Sequence, residues 1–144
     1  MAGIQCVFCK IRDGQIPSMK IHEDERTLAI MDINPLNPGH CLILTKAHAP
    51  TIFDVDAADL QAAIVAAQRV ARGIRSALAP DGLNMLQANG AAAFQSVPHF
   101  HLHLIPRWTD DKKGFDWPLV PGKRDKVVAA GEKIRAALGS AAHA

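Results

Sequence analysis

The stretch QSVPHFHLHLIPR, residues 95–107, sets three histidines at alternate positions, His99, His101 and His103, with Phe100 and Leu102 between them. A strand rises about 3.3 Å per residue and its side chains alternate between faces. On an extended segment the three imidazoles therefore share one face at steps of roughly 6.6 Å, and Phe100, Leu102 and Leu104 point the other way, into a core. Three chemistries are open to such a row. The rings can be ordinary surface histidines on an edge strand. Two of them, as His-x-His, can chelate a zinc whose third ligand comes from elsewhere. All three cannot easily do so together, because the outer pair stands roughly 13 Å apart along the backbone, and the chain has no His-Glu-x-x-His motif. The third possibility is a nucleophile at the centre of the row. Neutral imidazole attacks phosphorus well near pH 7, its ordinary pKa being about 6.5, provided the other ring nitrogen donates its proton to a fixed acceptor. A neighbouring imidazole can then hold a phosphate oxygen. Only this third reading gives the rings a reason to line up.

Other residues carry possible chemistry. Cys6 and Cys9 form CVFC. By itself Cys-x-x-Cys is open between a zinc half-site, a redox pair and neither, although a thioredoxin-like pair sits in a βαβ context that this N-terminal stretch does not offer. Asp32 stands where TLAIMDI leaves a strand, a common place for a turn aspartate. Asn89-Gly90 is a frequent turn pair, and His40 follows a Pro-Gly turn in NPGH. Cys41 reads as a small buried hydrophobe.

These residues need elements to place them. KIHED (20–24), TLAIMDI (27–33), CLILTK (41–46) and LNMLQA (83–88) have strand character, and the histidine strand is expected over 98–106, with Pro98 holding Val97 extended at its entry. Residues 57–78 form the clearest helix, with one apolar stripe through Leu60, Ile64, Ala67, Ala71, Ile74 and Leu78. Asp56 is placed to cap it, Asp59 adds favourable charge to its first turn, and Pro80 and Gly82 stop it. A second helix is expected over 126–138. DGQIPS, NPLNPGH and NGAAAFQS are loops, and TDDKKGFDWPLVPGKRD is a mixed-charge loop in which DDKK reads as solvated. The order of elements favours an α+β fold, an antiparallel sheet with one long helix and one C-terminal helix.

The whole chain sets limits. Its 144 residues suit a single domain, 1–144, and 49% hydrophobic with 21% charged residues suits a soluble globule. A net charge of +2 with no arginine-rich block argues against nucleic acid as partner, and no apolar run is long enough for a membrane helix. The first residues lack the pattern of a secretory signal, and three cysteines, an odd number, suit a reducing, cytoplasmic setting.

HFHLHLI fits the pattern His-φ-His-φ-His-φ-φ, with φ apolar, and Gln95-Ser96 stands three residues before it. Together with CVFCKI, GQIPS, DINPLNPGH, LILTKAH and NGAAAFQSVPHFHLHLIPR, spread over roughly residues 5–107, it resembles a bacterial, zinc-containing branch of the histidine-triad (HIT) nucleotide hydrolases and transferases. The resemblance implies that His101 attacks the α-phosphorus of a nucleotide ester, anhydride or phosphoramidate, that His103 contacts the phosphate, and that Gln95 and Ser96 hydrogen-bond phosphate oxygens or the leaving group. Asn89 would lie near the same phosphate and His40 near the site. Asp32 would accept from the ribose hydroxyls, and Ile33, Ile30, Ile16 and Phe8 would line an apolar slot for a purine, residues whose plain alternative is ordinary core. Cys6, Cys9, His48 and His99 would hold a structural zinc, and the chain would be a homodimer joined through the long helix and a strand. The rival implication is a nucleotide-binding or regulatory protein with little turnover. Phe94 departs from the family, many of whose members have glycine before Gln-Ser, and could reroute the loop or crowd the leaving-group side. The C-terminal segment, 108–144, where Trp108 and Trp117 flank the charged loop, lies outside the resemblance and is expected to border the substrate entrance, its own or that of a partner subunit.

Overall fold

The computed structural model describes residues 5–141. The short apolar segments become five strands, β1 (Lys20–Glu23), β2 (Thr27–Met31), β3 (Cys41–Thr45), β4 (Gly82–Leu86) and β5 (His101–Arg107). They form one antiparallel sheet in the order β1-β2-β3-β5-β4, so β5 is an interior strand. Among the described residues three α-helices accompany it, α1 (Val7–Arg12), α2 (Ala57–Leu78) and α3 (Arg124–Ala141). The fold is α+β, as expected. Two compact units divide after Lys113; the second carries α3, longer than the expected 126–138, with Val127, Ile134 and Leu138 exposed.

Each face of the sheet has its own core. On one, Ala63, Ala66, Ala67, Val70 and Ile74 of α2 pack on Ala29, Cys41, Ile43, Phe100, Leu102 and Leu104. On the other, Cys6, Phe8, Cys9 and Ile11 of the N-terminal turn pack on Leu28, Ile30, Leu42 and Leu44. In the β3–β5 register Leu42 opposes His103 and Leu44 opposes His101, which puts both histidines on the α1 face. The expected alternation therefore holds within β5: imidazoles toward α1, leucines toward α2.

Four expectations change. The histidine strand begins at His101 and not at 98, because His99 donates its N–H to the Val97 carbonyl (2.8 Å) and Phe100 donates to Ala49 (2.7 Å), so the chain bends before it joins the sheet. The stripe of α2 is rotated: Ala67 and Ile74 are buried, but Ile64 and Leu78 are 44% and 43% exposed while Ala63, Ala66 and Val70 take the contact. An alanine-rich helix carries two overlapping apolar rows, and the row of smaller residues lets its axis approach the sheet. Asp56 occupies the N-cap of α2 but its side chain caps nothing, and Asp59 turns inward to Arg26 (2.8 Å). The turn-rich N-terminal stretch contains a helix, α1, that was not anticipated. At six residues it is too short to persist alone; the Cys6 sulfur accepts from the Cys9 N–H (3.5 Å) as its cap, and burial of Phe8, Cys9 and Ile11 holds it.

Candidate active site

His101 is buried, 4% exposed, and its Nδ1 lies 2.6 Å from the carbonyl oxygen of His99. A carbonyl only accepts, so Nδ1 carries the proton and Nε2 keeps its lone pair. Among the described residues no buried side-chain nitrogen or oxygen lacks a partner, and no protein group bonds His101 Nε2, so that lone pair is reached by water. Burial lowers the pKa of the ring, against the opposing effect of its carbonyl partner and Asp32. The result is a neutral imidazole with a fixed tautomer and one open nitrogen, which is what a histidine nucleophile requires.

The neighbouring rings form a second chain of assignments. Leu36 donates its N–H to His40 Nδ1 (2.9 Å), so the His40 proton is on Nε2. That N–H faces His103 Nδ1 at 2.9 Å and Asp32 Oδ2 at 3.3 Å. His103 Nδ1 thus accepts, and the His103 proton is left on Nε2 as a donor. The loop delivering His40 is clamped to the end of β5: buried Asn37 donates to the Pro106 carbonyl and to Asp111, both at 2.9 Å, and Asp111 pairs with Arg107 at 2.8 Å. Asp111 is thereby a structural anchor and not part of a solvated run. Gly39, at φ +91, leaves no room for a Cβ, which would meet Leu78 at 2.5 Å and Pro106 at 2.9 Å.

Burial, assisted by the neighbouring His101 and His40, pushes the His103 pKa down to about 4. The unfolded chain binds this proton below about 6.5 and the folded chain does not until about 4. Stability contributed by keeping His103 neutral is therefore complete above the unfolded value and is lost as pH falls through this window. Thermal melts should show Tm several degrees lower at pH 5 than at pH 7, with a shallower slope in His103→Gln; an unchanged slope in that variant counts against the assignment.

On the same face, Cys6, Cys9, His48 and His99 bring four donor atoms within 4.8 Å of one another. His99 Nδ1 lies 3.3 Å from Cys6 Sγ, 3.6 Å from Cys9 Sγ and 3.2 Å from His48 Nδ1, and Cys9 Sγ lies 3.4 Å from His48 Nδ1. Bonds of about 2.3 Å to sulfur and about 2.05 Å to nitrogen give tetrahedral edges of roughly 3.3–3.8 Å, so the set fits zinc. The proton on His99 agrees: Nε2 lies 2.6 Å from the Thr45 carbonyl and must donate, leaving the Nδ1 lone pair toward the sulfurs. The same test rejects the other cluster of ligand type, Asp32, His40 and His103. His40 Nδ1 already spends its lone pair on the Leu36 N–H, so Nε2 holds a proton where a metal would need electrons.

The HIT domain family model matches residues 13–110. The chain belongs to the HIT family. It is 43% identical over 103 residues to Protein hit of Bacillus subtilis, covering 72% of this chain and 71% of that one. It is 34% identical over 132 residues to the adenosine 5'-monophosphoramidase hnt1 of Schizosaccharomyces pombe, covering 91% and 96%. Its structure is similar, with a TM-score of 0.74 and 37% identity over 98% of both chains, to the crystal structure of a Zn-bound histidine triad family protein from Mycobacterium smegmatis.

Around this HIT triad the remaining expected residues are distributed unevenly. Phe8, Ile30 and Ile16 share one apolar cluster, in which Phe8 and Ile30 are buried, whereas Ile33 is 89% exposed on the loop after β2. Gln95 commits its amide to the loop itself, accepting from Gly90 N–H (2.7 Å) and donating to Pro50 (2.6 Å) and Val97 (3.1 Å) carbonyls. Asn89 pairs with Gln87 and accepts from the Ile52 N–H (2.8 Å). Ser96, next to Gln95 in the chain, is exposed. Phe94 adopts φ +64, a left-handed conformation that glycine takes freely and that costs a larger residue roughly 1–2 kcal/mol, and its ring stands in solvent. Sequence reasoning missed Leu36, Asn37, Thr45, Arg107 and Asp111. Three of these act through backbone groups or long-range pairs, for which no local pattern exists; only the Arg107–Asp111 spacing of four was visible.

Proposed function

We propose that this HIT chain is a mononucleotidyl hydrolase or transferase that cleaves at the α-phosphate of purine nucleotide conjugates: phosphoramidates, dinucleoside polyphosphates or adenylates. The reading rests on the His101 ring, whose Nδ1–H is held on the His99 carbonyl at 2.6 Å while Nε2 stays open. It is supported by the fission-yeast relative, an adenosine 5'-monophosphoramidase. In the first step His101 Nε2 forms a bond to the α-phosphorus as the bond to the leaving oxygen or nitrogen breaks and the leaving group takes up a proton. The ring keeps its Nδ1 proton, so the adduct is a cation neutralised in part by the carbonyl, and a good leaving group in turn. Water then bonds to phosphorus as the Nε2–phosphorus bond breaks, and the mononucleotide is released with His101 restored; the proton that water gives up to solvent balances the one the leaving group took from it.

His103, with its proton on Nε2, donates to a phosphate oxygen. His40 and Asp32 hold it in that tautomer, and Asp32 keeps further acceptor capacity for ribose hydroxyls. Ser96 offers a hydroxyl to phosphate or leaving group; Gln95 and Asn89 shape the loop that presents it. Ile16, Phe8, Ile30 and Ile33 border the purine. Cys6, Cys9, His48 and His99 would hold zinc, whose contribution is a closed structural cross-link between α1 and the segment entering β5. A homodimer would form along α2 and β4, where exposed Ile64, Val65, Leu83 and Met85 border one groove beside the free edge of the sheet. The three free cysteines suit a cytoplasmic setting.

The test is a quench experiment. The protein is mixed with an adenylated substrate, stopped in acid-free denaturant and digested. A peptide covering residues 97–107 should carry one nucleotidyl group on His101. Rapid turnover with no adduct at any time point would defeat the covalent route, and stoichiometric nucleotide binding with neither adduct nor product would favour the binding-protein reading.

A further inference from the structure

Phe8 was expected to wall the purine slot, yet its closest ring neighbours are the histidines. Its ring centroid lies 5.0 Å from that of His101 at an interplanar angle of 79°, and 5.8 Å from that of His99 at 81°. Phe8 is 6% exposed. Its neighbours in the chain are equally specific: Cys6 and Cys9 bracket it within one helical turn, and both sulfurs lie within 3.6 Å of His99 Nδ1. One turn of α1 therefore carries two metal-type donors and the aromatic ring that packs on the nucleophile.

We propose that Phe8 is a positioning residue for His101, and that the Cys6–Cys9 turn, tied to His99 through the metal site, sets where its ring stands. The inference rests on the reading of His101 as nucleophile. The His99 carbonyl restrains one ring nitrogen of His101 by a single hydrogen bond. The imidazole retains rotation about its own axis unless packing blocks it, and rotation breaks that bond and mixes the tautomers. His103 contacts the ring at a tilt, 4.9 Å between centroids. Phe8 supplies the packing from outside the strand. A six-residue helix has little hold of its own, so the ring's position depends on the cross-links at both ends of the turn. His99 joins the two halves: its imidazole belongs to the metal-type cluster and its carbonyl holds His101.

The experiment compares wild type, Phe8→Leu and chelator-stripped wild type, each as the full chain, with Phe8→Met as a second variant should Phe8→Leu unfold. Nitrogen-15 spectra of the imidazoles read the His101 tautomer without any turnover, zinc content and circular dichroism report the site and the fold, and AMP binding and single-turnover adenylation are measured separately. The expected result for Phe8→Leu is intact zinc content, AMP affinity lowered no more than a few-fold because leucine keeps an apolar wall beside the purine, mixed tautomer signals at His101, and adenylation of bound substrate slowed roughly 10- to 100-fold, the scale of a misplaced reactive group. Stripped wild type should show the same mixed tautomer. A variant with the wild-type tautomer and single-turnover rate, whether or not its AMP affinity falls, overturns the proposal and leaves Phe8 with the base slot alone. If wild type forms no adduct, the nucleophile reading fails on its own, and the tautomer comparison still decides what Phe8 does to His101.

Discussion

His101→Asn should abolish turnover and leave mononucleotide binding in place. The asparagine amide can still donate to the His99 carbonyl, which His101 Nδ1 reaches at 2.6 Å, so the local hydrogen bond is conserved. What disappears is the nitrogen lone pair at the far side of the ring. The barrier then reverts to direct attack by water, and the loss should be roughly 10⁴-fold or more, the scale of removing a covalent nucleophile. His103→Asn should cost less, on the order of 10²- to 10³-fold, because it removes a hydrogen-bond donor to charge and not the bond-forming atom. Steady-state rates together with calorimetric AMP binding check both. Full activity in His101→Asn would move the nucleophile elsewhere; equal losses in the two variants would mean that the pair acts as one unit.

Stripping metal from the Cys6, Cys9, His48 and His99 cluster should cost stability before it costs chemistry. Cys6, Cys9, His48 and His99 leave no open position in a tetrahedral site, so no water can be activated there. A metal held there would fasten α1, which contributes Phe8, Cys9 and Ile11 to the core, onto the approach to β5. Ligation energy realised only in the folded state is folding energy. With about 2–4 °C of Tm per kcal/mol for a chain of this size, a loss of several kcal/mol lowers Tm by roughly 10 °C or more. Cys9→Ser should act in the same direction. Turnover below the new melting point should fall by the modest factor expected from a loosened His101, and zinc added back should recover Tm and rate together. Immediate, complete inactivation with an unchanged melt would instead identify a catalytic metal.

The residues of the candidate site were largely legible in the chain, because their types and spacings are local facts. Alternation in HFHLHLI placed His101 and His103 on one face, and the strand does so. His99 shows where alternation stops being informative: whether a segment extends or bends depends on partners such as the Ala49 carbonyl, which accepts from Phe100, 51 residues further along the chain. The stripe of α2 was misplaced for a related reason, since an alanine-rich helix gives no local sign of which apolar row the sheet will accept. The N-terminal helix escaped notice because its cap is a cysteine sulfur and its stability is tertiary.

Amino-acid sequence alone determined the strand and helix periods, the donor set of two cysteines and two histidines, and the presence of three alternating imidazoles. Tertiary structure alone decided what each imidazole is. The proton on His99, His40, His103 and His101 follows from a carbonyl of Thr45, an amide of Leu36, the ring of His40 and the carbonyl of His99 respectively. A neutral imidazole has one proton and one lone pair, and folding assigns them by what it puts opposite each nitrogen. That is why the same residue type presents a proton at some of these ring nitrogens and an open lone pair at others.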